Sequence, residues 1–142
     1  MESILNTGVS WSFEKLEYSD SLMIFIVEMI KSQKPTPLII EGINLGNSYI
    51  VAISEESRRF IVQFKDVISY QIQKESYTYH SESDLKSQGI LSKYEKSRYL
   101  DFIESHTLIR ALQKVPYYHY SLFLDDEIID VISGVEPQIL SK

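Results

Sequence analysis

Residues 38–79 read LIIEGINLGNSYIVAISEESRRFIVQFKDVISYQIQKESYTY. The stretch divides into four short runs, residues 38–43, 48–54, 58–64 and 67–74, each rich in Ile, Val, Phe or Tyr and each followed by a turn signal. Links of two to four residues suit hairpins, so neighbouring runs are expected to pair antiparallel. Asn44-Leu45-Gly46-Asn47 reads as the first turn, with Gly and Asn where positive φ is needed. Period-two spacing gathers Tyr49, Val51 and Ile53 on one face, then Phe60, Val62 and Phe64, then Ile68, Tyr70 and Ile72. Arg59, Gln63, Ser69, Gln71 and Gln73 occupy the other faces, as in a sheet with one buried and one wet side.

Upstream, Val9, Trp11 and Phe13 alternate with polar residues, which predicts a strand over 9–17 with a bulge near Lys15. Trp11 reads as a core anchor. Ser19 and Asp20 are suitable N-caps, and Leu22, Met23, Ile26, Val27 and Ile30 follow helical spacing. Ile24, Phe25 and Met29 make that run apolar all round, as in a buried helix or a central strand. Its Met, Glu and Leu content favours a helix over 21–33, which Pro35 and Pro37 end.

Downstream, residues 76–89 read as a polar surface loop. Ser92-Lys93-Tyr94-Glu95 resembles a capping box that starts a helix bearing Tyr99, Leu100, Phe102 and Ile103. A second helical stretch from Thr107 stops before Pro116. Tyr118, Tyr120, Leu122 and Leu124 then alternate, Asp125-Asp126-Glu127 form a tip, and residues 128–133 return as a hairpin. The last residues are expected to fray. The expected fold is α+β, one domain over residues 1–142. It would hold a single antiparallel sheet of five to seven strands (meander plus C-terminal hairpin), with two or three helices packed mainly on one face.

At 142 residues, 44% hydrophobic and 24% charged, the chain resembles an ordinary globular domain. It has no cysteine, which excludes disulfides and thiol chemistry and fits a cytoplasmic bacterial protein. Met1-Glu2-Ser3 lacks the basic start of a secretion signal, and the longest apolar run, 22–27, is too short for a membrane helix. The net charge of −6 is uneven: residues 1–30 and 115–142 carry −4 each, 31–56 carry −1 and 57–114 carry +3. Acidic ends disfavour nucleic acid and anionic membranes and suit a basic protein partner. The strand at 59–64 lacks the glycines and aromatic spacing of RNA-recognition domains.

The catalytic inventory is thin and leans away from an enzyme. No serine sits in a nucleophile motif, no glycine-rich phosphate loop exists, and His80, His106 and His119 are isolated. No cofactor or metal is expected. His119, within Tyr117-Tyr118-His119-Tyr120, is either a titratable group in an aromatic pocket or a structural histidine bonded across the sheet. Asp125, Asp126, Glu127 and Asp130 put four carboxylates in six residues without the spacing of a calcium loop. They read as a solvated tip or an acidic docking patch. Asp130 interrupts an apolar run and, if buried, calls for an Arg or Lys partner.

Three functions follow from these features. The first is a protein-interaction module of the bacterial immunity or antitoxin type, neutralising a basic toxin domain through Tyr117, Tyr118, His119, Tyr120, Asp125, Asp126, Glu127 and Asp130. The second is a small-molecule-binding domain or minor enzyme, with a pocket between sheet and helices that uses His119, Tyr70 and Glu28 or Asp130. The third is a homodimer joined at an exposed sheet edge.

Overall fold

A computed structural model describes residues 3–142. Met1 and Glu2, on which the reading of the leader rests, lie outside them. The strands are β1 (Ser10–Tyr18), β2 (Leu22–Lys31), β3 (Thr36–Ile40), β4 (Ile43–Ser48), β5 (Val51–Ala52), β6 (Arg59–Phe64) and β7 (Val67–Lys74). After these come β8 (Leu85–Lys86), β9 (Leu91–Lys96), helix α1 (Arg98–His106), helix α2 (Ile109–Leu112), β10 (Tyr118–Phe123), β11 (Glu127–Ser133) and β12 (Gln138–Ser141). They build two five-stranded antiparallel sheets rather than one. The first has the order β1-β2-β6-β12, with β5 also on β2; the second runs β7-β11-β10-β9-β8. The pair β3-β4 stands apart as a hairpin.

The two sheets meet over one apolar core. Trp11, Leu22, Ile24, Ile26, Phe60, Val62 and Phe64 of the first sheet pack with Leu91, Tyr120, Leu122, Ile129 and Val131 of the second. Burying each such side chain stabilises the fold by about 1.5–3 kcal/mol before entropy is counted. Trp11 is the expected anchor. Its indole N–H donates to the Leu5 carbonyl at 2.8 Å, and its ring meets Phe60 at 5.5 Å. The bulge in β1 falls between Phe13 and Lys15, as the pattern required.

Several expectations are corrected. The run expected as a helix over 21–33 is the strand β2, paired between β1 and β6; Leu22, Ile24 and Ile26 face the core, and Phe25 on the other face is covered by the ammonium groups of Lys15 and Lys142, so neither face reads as polar. The meander does not hold together. Lys65-Asp66 between β6 and β7 is not a hairpin turn but a corner that carries the chain from one sheet to the other. Asp66 takes φ +51, the Ser133 hydroxyl donates to the Lys65 carbonyl at 2.6 Å, and Gly134 N–H donates to the Asp66 carbonyl at 3.1 Å. A Cβ on Gly134 would meet the end of the Asp66 side chain, which would have to swing aside. Similarly, the first hairpin turns at Glu41-Gly42, both at positive φ, while Asn44 and Gly46 lie within β4. Tyr49, Val51 and Ile53 are exposed rather than core.

The capping box at Ser92 is part of β9; the cap of α1 is Ser97, whose hydroxyl accepts from Leu100 N–H at 3.0 Å. Residues 138–141, expected to fray, pair with β6 as β12. The two helices lie on the outer face of the second sheet, where Ile103 and Ile109 pack with Ile132. No helix is long and apolar enough to cross a membrane among the described residues.

The Tyr120 hydroxyl faces the core without a hydrogen-bond partner among the described residues. Burial, with the nearby charges of Glu136 and Tyr118, pushes this phenol up to about 12. A raised folded value supports the fold below the unfolded value near 10, and that support is lost as pH rises towards 12. Because the buried hydroxyl lacks a hydrogen bond, Tyr120→Phe is expected to raise stability by about 1 kcal/mol at neutral pH and, with no phenol to ionise, to flatten the alkaline loss. Urea denaturation of both proteins at neutral and alkaline pH measures this, and an unchanged or lower midpoint would exclude it.

An aromatic cleft over a buried histidine–aspartate pair

The outer face of the second sheet carries its polar groups in rows set by strand register. Gln71 lies opposite Asp130, and Asp130 opposite Ser121. In the next row Ser69, Ile132, His119, Tyr94 and Lys86 follow one another across β7, β11, β10, β9 and β8. His119 and Asp130 are therefore diagonal neighbours, within reach of each other. His119 Nε2 is 2.8 Å from Asp130 Oδ1, and Nδ1 is 2.7 Å from Ser97 Oγ at the start of α1. Ser121 donates its hydroxyl to the same Asp130 oxygen, and Gln71 Nε2 donates to Asp130 Oδ2 at 3.1 Å. Because an ionised carboxylate only accepts, His119 carries its proton on Nε2.

Asp130 is only 7% exposed. Burial alone would push its carboxyl up, but the hydrogen bonds from His119, Ser121 and Gln71 and the proximity of His119 outweigh it and hold it below the usual range. The expected Lys or Arg partner is thus replaced by a histidine, a hydroxyl and an amide. Tyr94 stacks on the His119 ring at 4.1 Å and 3°, and Tyr99 meets its edge at 5.2 Å while bonding the Ser69 hydroxyl at 2.7 Å. Burial raises both phenols.

Above this floor lies a cleft of about 360 Å³. Tyr94, Tyr99, Phe102, Phe123 and Tyr79 supply its aromatic walls. Arg98 and Lys86 stand at its rim, with His80 beside them. Arg98 is engaged: its side chain lies 3.7 Å from Asp84, donates to the Tyr79 carbonyl at 2.8 Å and covers the Tyr79 ring. Lys86 instead sits 4.4 Å above the Phe123 ring, in no ion pair among the described residues, and burial lowers its ammonium.

The residues singled out from sequence are dispersed. His119 and Asp130 form the floor, whereas Tyr120 is in the core on the opposite face. Tyr117 donates to Glu104 at 3.0 Å beside α1, and Tyr118 is exposed under the Lys93 ammonium at 3.8 Å. Asp125 and Asp126 are exposed at the far end of β10, about 20 Å along the strand from Tyr118, while Glu127 is held by Lys74 at 3.3 Å. The tyrosines and acidic tip therefore do not make one surface. Of the pocket set His119, Tyr70, Glu28 and Asp130, only His119 and Asp130 meet. Tyr70 faces Tyr18 on the sandwich side, and Glu28 is paired with Arg58 at 2.6 Å, which keeps its carboxyl low against burial. Ser97, Ser121, Gln71 and Tyr94 complete the site without having been singled out. Once the hairpin is centred on Asp125-Asp126, counting back along both strands sets Ser121 opposite Asp130, so that signal was present.

Ser97, His119 and Asp130 line up in the order of a hydrolase triad, but Ser97 is buried and already caps α1. It cannot serve as an accessible nucleophile. The described residues hold no group of three or more metal-ligating side chains. The chain matches no protein-family model, no curated protein and no solved structure.

A depressed folded value for Asp130 supports the fold above the unfolded value near 3.9, and that support is lost as pH falls through the folded value. Asp130→Asn is expected to cost about 3 kcal/mol at neutral pH, because it places an amide where His119 and Ser121 donate. It should also shrink the loss of stability below about pH 4. Chemical denaturation from pH 3 to 7 tests both effects; parallel curves for wild type and variant would exclude the role.

Proposed function

We propose that this chain is a binding protein for a small anionic ligand bearing a planar aromatic ring, held in the cleft above His119 and Asp130. One observation carries the reading: Lys86, a cation in no ion pair among the described residues, sits over Phe123 beside an aromatic slot whose other charged groups are satisfied. An anion there would pair with the ammonium, and the aromatic walls would stack the ring. The cleft is at the lower end of the roughly 300–1,000 Å³ typical of ligand sites, which suits a mononucleotide or an aromatic acid. The hydrogen-bonded floor holds Tyr94 and Tyr99 in place before a ligand arrives.

The probes are AMP and 4-hydroxybenzoate, with benzylamine as a cationic control. Either anion is expected to raise the unfolding temperature, with about 2.7 kcal/mol of stabilisation at a hundredfold excess over Kd. Lys86→Ala should weaken binding about tenfold, or 1.4 kcal/mol. No response to either anion at millimolar concentration, or an equal response to benzylamine, would remove the reading. The two anions separate phosphate from carboxylate recognition.

A second reading is a docking module of the immunity or antitoxin type. Asp125 and Asp126, exposed and in no ion pair among the described residues, favour it. A lysine-rich model peptide should bind wild type and lose affinity for Asp125→Lys/Asp126→Lys in a fluorescence titration. Equal affinity for the two proteins would count against it.

A further inference from the structure

The hairpin β3-β4 has an apolar face that nothing among the described residues covers. Residues 35–54 contain a single charged side chain, Glu41, at the tip. Ile40 lies opposite Ile43, and Ile39 opposite Asn44. Between the pairs Pro37–Asn47 and Ile39–Asn44, Leu38 faces the two residues Leu45 and Gly46, a bulge in which Gly46 takes φ +103. Alternation then sets Leu38, Ile40, Ile43 and Leu45 on one face, 41 to 62% exposed. Tyr49, Ile50, Val51 and Ile53 continue the exposed apolar surface at the base. No hairpin residue belongs to either core cluster. The hairpin is tied to the rest of its chain at the base, where Ser32 N–H donates to the Ile50 carbonyl at 2.7 Å and β5 pairs with β2.

We propose that a second copy of this chain covers it, the two hairpins packing face to face about a two-fold axis. On that face Leu38, Ile40, Ile43 and Leu45 expose on the order of 400 Å², half of what each partner gives to an interface of standard size, so the base of the hairpin contributes the rest. Charge points the same way. Two chains of −6 repel, and the segments 1–30 and 115–142 carry −4 each, whereas 35–54 carry −1. The hairpin is where two copies approach at least electrostatic cost, and its near-neutral surface does not complement a basic partner. Pro35 and Pro37 remove two backbone donors along and beside β3, which favours stacking of faces over lateral addition of strands. The same patch serves both copies, as two-fold symmetry requires. This interface is independent of the cleft and of its ligand.

The test uses the full chain. Size-exclusion chromatography with light scattering at micromolar concentration should give twice the chain mass of 16.5 kDa. Ile40→Asn/Ile43→Asn should give the single chain mass with unchanged circular dichroism, since neither residue enters the core. The chain has no cysteine, so Leu45→Cys supplies one thiol; mild oxidation should link copies through it at least tenfold faster than through Glu82→Cys. A wild-type monomer at every concentration, a dimer that survives the double variant, or a monomer that floats with phosphatidylcholine vesicles would each overturn the proposal.

Discussion

The register of β10 on β11 is the constraint on which everything else rests. Both strands are covered on both faces, by the first sheet on one side and by α1 and the residue 75–89 segment on the other. Tyr120, Leu122, Ile129 and Val131 point into the apolar core, while His119, Ser121 and Asp130 point outward. A slip of one residue in either strand would drive a carboxylate or an imidazole into hydrocarbon and strand a leucine among polar groups. The polar network thus does more than support a site. It makes every wrong pairing of the central strands expensive, because Asp130 finds three donors in only one alignment.

The two sheets are unequal in what they need from the sequence. The first requires apolar side chains throughout β2, and the second requires strict alternation along β10. That difference explains which elements could be read in advance. β1 and the β10-β11 hairpin each have one apolar and one polar face or a marked tip, and period two is visible in both. In β2 the central position removes the alternation that identifies a strand, so Met23, Glu28 and Met29 left helix propensity to decide wrongly. The two residues linking β6 and β7 are as short as a hairpin turn, and nothing local distinguishes a turn from a corner. The deciding contact is with Ser133 and Gly134, nearly seventy residues away.

The site was half legible for a related reason. His119 and Asp130 stood out because each breaks an apolar or aromatic run. Ser97 and Gln71 did not, since a serine or glutamine in a polar context carries no signal until the register assigns it a neighbour. The exposed hairpin was misplaced because an apolar alternating run looks the same whether its own chain or another one covers it.

Ser97 ties the cleft to the helix in a way that counting contacts does not reveal. Its one oxygen takes the Leu100 N–H that begins α1 and also faces His119 Nδ1. With the ring proton on Nε2, the serine proton points to Nδ1, so the one hydroxyl accepts from the helix and donates to the floor of the cleft at once. The first turn of α1 and the orientation of the His119 ring are thereby fixed to one another. Loss of that hydroxyl would loosen both, the helix that carries Tyr99 and Phe102 and the ring on which Tyr94 stacks.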